Sequence, residues 1–307
     1  MRFSAVETIY EAALHDPRIF FLTGDTGHAK EAEFRTKIPD QYMNTGMAEQ
    51  NMIGVAAGLA LAGMKVFTYG IVPFLILRAF EQIKVDVCYQ NVDVTMVGVG
   101  GGFAYGVAGA THYSIEEVAA LRALPHMKIV SPATPCETRQ LTAQILKTGG
   151  PAYLRIGKGG EPDVAGKEPR VELGRAMVMR QGKDAIIFAS GTIVLEALRA
   201  ADILSEHGTE LEVVNIHTLK PFDAATVAGY ASLNKPIFTL EEQNIHGGLG
   251  SAVAEVLAEH GERRGVFKRF GVNDDWPRFV GTQQFLRSAL GISAQDVADG
   301  IQNALVS

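Results

Sequence analysis

Lys65–Gly100 reads KVFTYGIVPFLILRAFEQIKVDVCYQNVDVTMVGVG, a strand, a helix and a strand in succession. Lys65–Tyr69 and Val94–Val99 are short, β-rich and almost continuously apolar, the pattern of strands buried on both faces. The longer stretch between them, Phe74–Gln90, reads as a helix. Two strands joined by a helical crossover run parallel. The same alternation extends outward: strands are predicted at Arg18–Thr23, Lys128–Ser131 and Ala152–Ile156, and helices at Glu49–Ala62, Ile115–Leu124 and Pro135–Lys147. The N-terminal MRFSAVETIYEAALHD also alternates apolar and charged residues at helical spacing. These elements imply a parallel sheet covered on both faces.

The apolar pattern stops at GKGGEPDVAGKEPR, Gly157–Arg170, which is rich in Gly, Pro and charge and reads as a linker. Alternation then resumes, with strands at Asp184–Ala189, Leu211–Ile216 and Pro236–Leu240. Helices follow at Val194–Glu206, Ser251–His260, Thr282–Leu290 and Ala294–Ala304. The fold class is therefore α/β, in two domains spanning residues 1–165 and 166–307, each a mostly parallel sheet flanked by helices. A chain of 307 residues is long enough for two such cores.

Composition narrows the function. Hydrophobic residues make up 47% and charged residues 20%, an ordinary globular profile. The net charge of -6, with no basic stripe, argues against a nucleic-acid partner, because phosphate neutralisation needs clustered Lys and Arg. The N-terminus lacks the basic start and apolar core of a signal peptide. No segment reaches the ~18 apolar residues of a membrane span, so a cytoplasmic location is expected. Cys88 and Cys136 sit in no metal or redox spacing and read as reduced packing residues.

Three segments carry chemistry. In NTGMAEQNMIGVAAGLALAG, Asn44–Gly63, Glu49 opens a helix that is otherwise small and apolar. A carboxylate there can simply answer the helix macrodipole. TYGIVPFLILRAFEQI, Thr68–Ile83, contains Ile71, Phe74 and Arg78, and GATHYSIEEVAALRALP, beginning at Gly109, places His112 after a glycine-rich loop. Glycine clusters at strand ends of a parallel sheet fall where ligands bind, although many are only tight turns.

Together these segments resemble the transketolases and their relatives, over nearly the whole chain but only the second half of a full-length transketolase. The resemblance implies that Glu49 meets the aminopyrimidine ring of thiamine diphosphate. There a carboxylic acid promotes the imino tautomer that deprotonates the thiazolium carbon, and burial would favour the protonated acid. It also implies that Phe74, with Ile71 in place of the usual second aromatic, encloses the pyrimidine, with Arg78 among the cofactor-binding residues. His112 would orient substrate hydroxyls and help proton transfer. Lys158, aligning better than Arg155, stands near the family's phosphate-reading arginine, though Lys lacks the bidentate fork. ASGTIVLEALRAADIL, VVNIHTLKPFD and TLEEQNIHGGLGSAVAEVLAE resemble the family's C-terminal domain. His246 there could approach the mouth of the site, while His217 and His246 more readily serve structure or an interface. Ala108 stands where the family has an aspartate, and Gly100 or a neighbouring glycine where it has a histidine, both of which read sugar hydroxyls in the family; this leaves the sugar open.

Gly24-Asp25-Thr26-Gly27 precedes Glu49 and is not the family's diphosphate and metal motif. No metal ligand is assigned to this chain. Thiamine diphosphate and its divalent metal, Mg2+ or Ca2+, are instead expected on a partner, the N-terminal, diphosphate-binding transketolase subunit, in an α2β2 assembly. The expected activity is ketol transfer from a ketose or ketose phosphate to an aldehyde. A β-type subunit of a 2-oxo acid decarboxylating, acyl-transferring enzyme and a non-catalytic regulatory subunit remain open alternatives.

Overall fold

The computed structural model describes residues 1–28, 30–163, 170–259 and 265–306. The first part of the chain runs α1 (Arg2–Ala13), β1 (Ile19–Thr23), α2 (Glu31–Lys37), β2 (Tyr42–Asn44), α3 (Glu49–Leu61) and β3 (Lys65–Ile71). It continues through α4 (Phe80–Gln82), β4 (Val94–Val99), α5 (Glu117–Arg122), β5 (Lys128–Val130), α6 (Pro135–Thr148) and β6 (Ala152–Ile156). The second part holds β7 (Met177–Arg180), β8 (Ala185–Ala189), α7 (Val194–Glu206), β9 (Leu211–Asn215), β10 (Thr218–Lys220) and α8 (Ala224–Ala231). It ends with β11 (Ile237–Asn244), α9 (Leu249–Glu259), β12 (Phe267–Val272), α10 (Gln283–Ala289) and α11 (Ala294–Leu305).

Two sheets result, in the orders β10-β5-β6-β4-β3-β1-β2 and β12-β11-β8-β9-β7. All pairings are parallel except β10 with β5 and β7 with β9. The central strands β1, β4, β6, β8 and β9 are buried along their whole length, as their apolar runs require. The two parts are interlocked, because β10 comes from the second part and closes the edge of the first sheet. One apolar core under α3 joins Met52, Ile53 and Leu75 to Leu219, Val227 and Leu249 of the second part. The second part's own core in turn takes in Phe103, Tyr113 and Ile115 from the first. The expected domain boundary at 165 lies outside the described residues, as do part of the linker and His260, the predicted end of α9.

Local chemistry sets the helix ends. Thr134 caps α6 by accepting from the Glu137 amide, with Pro135 in the first turn, where its missing N–H costs nothing. Ser293 and Asp296 form a capping box on α11. The single helix predicted over Phe74–Gln90 is a correction. It is a broken run, wide π-type turns at Pro73–Leu77 and Ile83–Tyr89 flanking the one-turn α4. Proline at the start and the change in winding re-aim the side chains that the run presents.

Candidate active site

The connection after β1 leads to β2 on one side, and the connection after β3 leads to β4 on the other. The carboxyl ends of β1 and β3 therefore form a topological switch point, where an open parallel sheet leaves a crevice. Gly24 follows β1 there, Glu49 begins α3, and Ile71 ends β3 just before Phe74 and Arg78.

Four of the predicted residues converge in one row. Arg78 Nη1 donates to Glu49 Oε2 at 2.7 Å. The Arg78 guanidinium carbon lies 4.7 Å from the centre of the Phe74 ring. That ring meets the His112 imidazole edge-on, with centroids 5.1 Å apart. Thr111 Oγ1 bonds His112 Nδ1 at 2.8 Å. Glu49 is 8% exposed, and Phe74 and His112 are half-buried. Phe74 and Arg78, four residues apart on the wound run that begins at Pro73, face the same crevice.

The floor beside the carboxylate is bare backbone. A Cβ at Gly24 would come within 2.9 Å of the Gly46 carbonyl and 3.9 Å of Glu49 Oε1. A carboxylate, an aromatic face, a backbone-lined floor and the branched side chain of Ile71 together suit a flat, nitrogen-containing ring. Thus the residues present fit the pyrimidine end of thiamine diphosphate. One detail differs from the sequence reading: the buried carboxylate is engaged by a guanidinium, so it is held by a charged partner as well as by burial.

Other predicted residues lie elsewhere. Lys158 is exposed in the turn after β6. Arg155 is buried and committed, its Nε donating to Glu117 Oε1 at 2.7 Å and Nη2 to the Glu242 carbonyl at 3.2 Å. His246 is exposed between β11 and α9, on a loop held to α5 by the Arg122 guanidinium, which donates to the Gly247 carbonyl at 2.7 Å. His217 is wholly buried, its Nδ1 paired with Thr218 Oγ1 at 2.9 Å and its pKa pushed down to about 4 by burial. At Gly100 a Cβ would lie 2.2 Å from the Tyr105 ring, so Tyr105 fills the space a side chain there would take. Ala108 sits exposed in the turn Gly106–Ala108.

Sequence reasoning missed the buried acids behind the site. Glu117 and Glu242 are 0% and 2% exposed and gather Arg155, Gln243, Gln283 and Arg287 around them. The sequence offers only the pair of acids Glu241 and Glu242 after the start of β11, IFTLEEQN, with no sign of their distant partners. Among the described residues no three His, Cys, Asp or Glu side chains converge as a metal site would require, and no helix is long and apolar enough to cross a membrane.

Residues 1–161 match the family profile of the transketolase pyrimidine-binding domain, and residues 174–297 that of the transketolase C-terminal domain. The chain belongs to the transketolase family. Among its relatives is a subunit of an apulose-4-phosphate transketolase from Actinobacillus succinogenes, 38% identical over 89% of this chain and 88% of the relative. A 6-deoxy-6-sulfo-D-fructose transketolase subunit from a Clostridium species is 35% identical over 97% and 92% of the two chains. A solved split-gene transketolase, described as an inactive β4 tetramer, superposes with a TM-score of 0.87 at 35% identity, covering 99% of this chain and 97% of that one. Both family domains lie on this one polypeptide, in the order found in that split-gene relative. The two-domain α/β fold read from the sequence is the fold found.

Proposed function

We propose that this chain is the pyrimidine-binding subunit of a two-subunit transketolase that moves a two-carbon ketol unit from a ketose or ketose phosphate to an aldehyde acceptor. Thiamine diphosphate would lie between it and a diphosphate-binding partner that also holds the divalent metal, in an α2β2 assembly. The observation carrying the reading is the contiguous row Glu49–Arg78–Phe74–His112 at the switch point of the sheet. The relatives' designations as transketolase subunits support the activity and the need for a partner.

A second feature supports the partner. Helix α3 is apolar on nearly every side, yet Asn51, Gly58, Leu61 and Ala62 are exposed. A Cβ at Gly54 or Gly58 would touch nothing within 4 Å. Apolar helices are normally covered, and bare glycines let another backbone approach closely.

When bound, thiamine diphosphate would supply the nucleophilic carbon and the cationic ring that stabilises the carbanion of ketol transfer. Glu49 would hold the ring nitrogen of the pyrimidine, with Arg78 yielding or sharing the carboxylate. Phe74 and Ile71 would cover the ring and exclude water. His112, with Nδ1 held by Thr111, would present Nε2 to substrate oxygens, as a hydrogen-bonding or proton-transferring group. Lys158 would serve a substrate phosphate only from the rim.

Glu49→Ala tests the proposal in the enzyme reconstituted with its partner. Turnover should fall by roughly 10²-fold or more while the far-ultraviolet dichroism and the assembly stay unchanged. Substantial retained turnover would contradict the assignment. Offering a ketose phosphate and pyruvate in parallel separates ketol transfer from 2-oxo acid decarboxylation.

A further inference from the structure

The loop that carries His112 leaves the first sheet after β4 and returns to start α5. Its base is closed by a pair of backbone hydrogen bonds between Gly102 and Ser114, at 3.0 and 3.1 Å. Besides Arg155 and Glu117 of the first part, that closed loop packs against the second part of the chain. The Phe103 amide donates to Glu242 Oε1 at 3.0 Å. Gly102 lies so close that a Cβ there would stand 2.7 Å from the Glu242 carboxyl carbon. Phe103 and Tyr113, ring centroids 5.1 Å apart, enter the second part's hydrophobic core beside Leu240 and Leu286. A Cβ at Gly106 would strike Leu286 at 2.2 Å, and one at Gly109 would meet Val280 at 3.3 Å.

Glu242 is itself fixed on every side. Arg287 Nη2 donates to its Oε2 at 2.6 Å, and Gln283 Nε2 reaches both oxygens at 3.0 Å. Arg287 is anchored in turn by Glu196 at 3.4 Å and by Thr192 Oγ1 at 3.1 Å. Across the junction, Gln243 Nε2 donates to Glu117 Oε2 at 3.0 Å and the Asn244 amide to the Ile115 carbonyl at 2.7 Å. A buried carboxylate that accepts from a cation, an amide side chain and a backbone N–H has little freedom left. Each of these groups would be costly to leave unpaired.

The geometry points to Glu242 as a positioning residue: through the Phe103 amide it sets the loop that aims the His112 imidazole, so that the C-terminal domain forms the rear wall of the active site. Glu242 touches no substrate in this scheme and acts only through the loop. The inference deepens the role proposed above for His112 and rests on that role for its kinetic consequence, but not for its structural one.

The test separates the two. In the full chain, imidazole signals are recorded by ¹H–¹³C NMR and the His112 signal is assigned by its loss in His112→Gln. Glu242→Ala should shift or broaden the His112 signal while those of His126 and His207 stay in place. Glu242→Gln, which keeps an acceptor oxygen, should restore most of the native position. In the enzyme reconstituted with its partner, Glu242→Ala should lower kcat about tenfold or more with the KM for substrate little changed, since small misplacements of a catalytic group cost rate steeply. If Glu242→Ala fails to fold, Gln283→Leu removes two of the bonds to the carboxylate at a half-buried position and should move the His112 signal in the same direction, by less. An unmoved His112 signal in a folded Glu242→Ala chain, or in Gln283→Leu if that is the variant that folds, overturns the inference. A moved signal with unchanged turnover upholds Glu242 as the residue that positions the loop, and contradicts the role given to His112.

Discussion

At the scale of single residues, the outcome at Glu49 and at His217 follows from who surrounds them. Both are buried, but Glu49 has a guanidinium 2.7 Å away, whereas His217 has one neutral hydroxyl partner and an Nε2 that meets nothing. Burial disfavours the imidazolium and outweighs the attraction of the Asp223 carboxylate, which is why the His217 pKa falls to about 4. The sign of its effect on stability is fixed. The unfolded chain takes up this proton near pH 6.5 and the folded chain only near pH 4, so stability is full above pH 6.5 and lost as the pH falls through that window. The loss over the whole window should amount to roughly 3 kcal/mol. Glu241 acts oppositely: burial lifts its pKa to about 7, and the stability tied to its neutral form is lost as the pH rises through that value. Comparing urea midpoints of the wild type and His217→Gln between about pH 7 and 4.5 isolates the histidine. The variant should show the flatter profile, and parallel profiles would contradict the assignment. That Glu49, Phe74, Arg78 and His112 lie close together follows the family pattern of their spacing, and their roles are the proposal made above. Glu242 was not legible, since a glutamate in a sequence carries no sign of the arginine 45 residues on that will pair with it in the fold.

At the scale of elements, long apolar runs announced themselves and short pieces did not. The strands β1, β3, β4, β6, β8 and β9 were readable because burial on both faces demands continuous apolar residues. The three-residue strands β2 and β10 have no such run, and β10 exists only because the first sheet offers it an edge. The wide turns after β3 were equally hidden, as their winding depends on packing around Pro73 and not on a period. Helix α3 yields a prediction of its own. Gly58 is exposed in mid-helix with open space where a Cβ would stand, so glycine there weakens the isolated subunit. Gly58→Ala should stabilise the separate chain by about 0.5–1 kcal/mol, read as a raised thermal midpoint. Gly58→Leu should leave the fold intact and weaken assembly with the partner. Undiminished assembly of the leucine variant would show that α3 is not at the interface.

At the scale of the whole molecule, the two sheets are less separate than the sequence suggests. An edge strand, a shared hydrophobic core and a buried ion network cross between them, and the loop that carries His112 is held between both. The row Glu49–Arg78–Phe74–His112, buried at Glu49 and exposed at Arg78, and the exposed residues of α3 both belong to the first part, and under the proposed function they would be this subunit's share of the active site. The direct test is mild purification of the chain from its native host, followed by native mass spectrometry and assay of bound thiamine diphosphate and divalent metal. A complex with a second subunit, carrying cofactor and metal that neither chain retains alone, is the predicted result. A chain that comes out alone and free of cofactor, or one that holds thiamine diphosphate without a partner, would contradict the account.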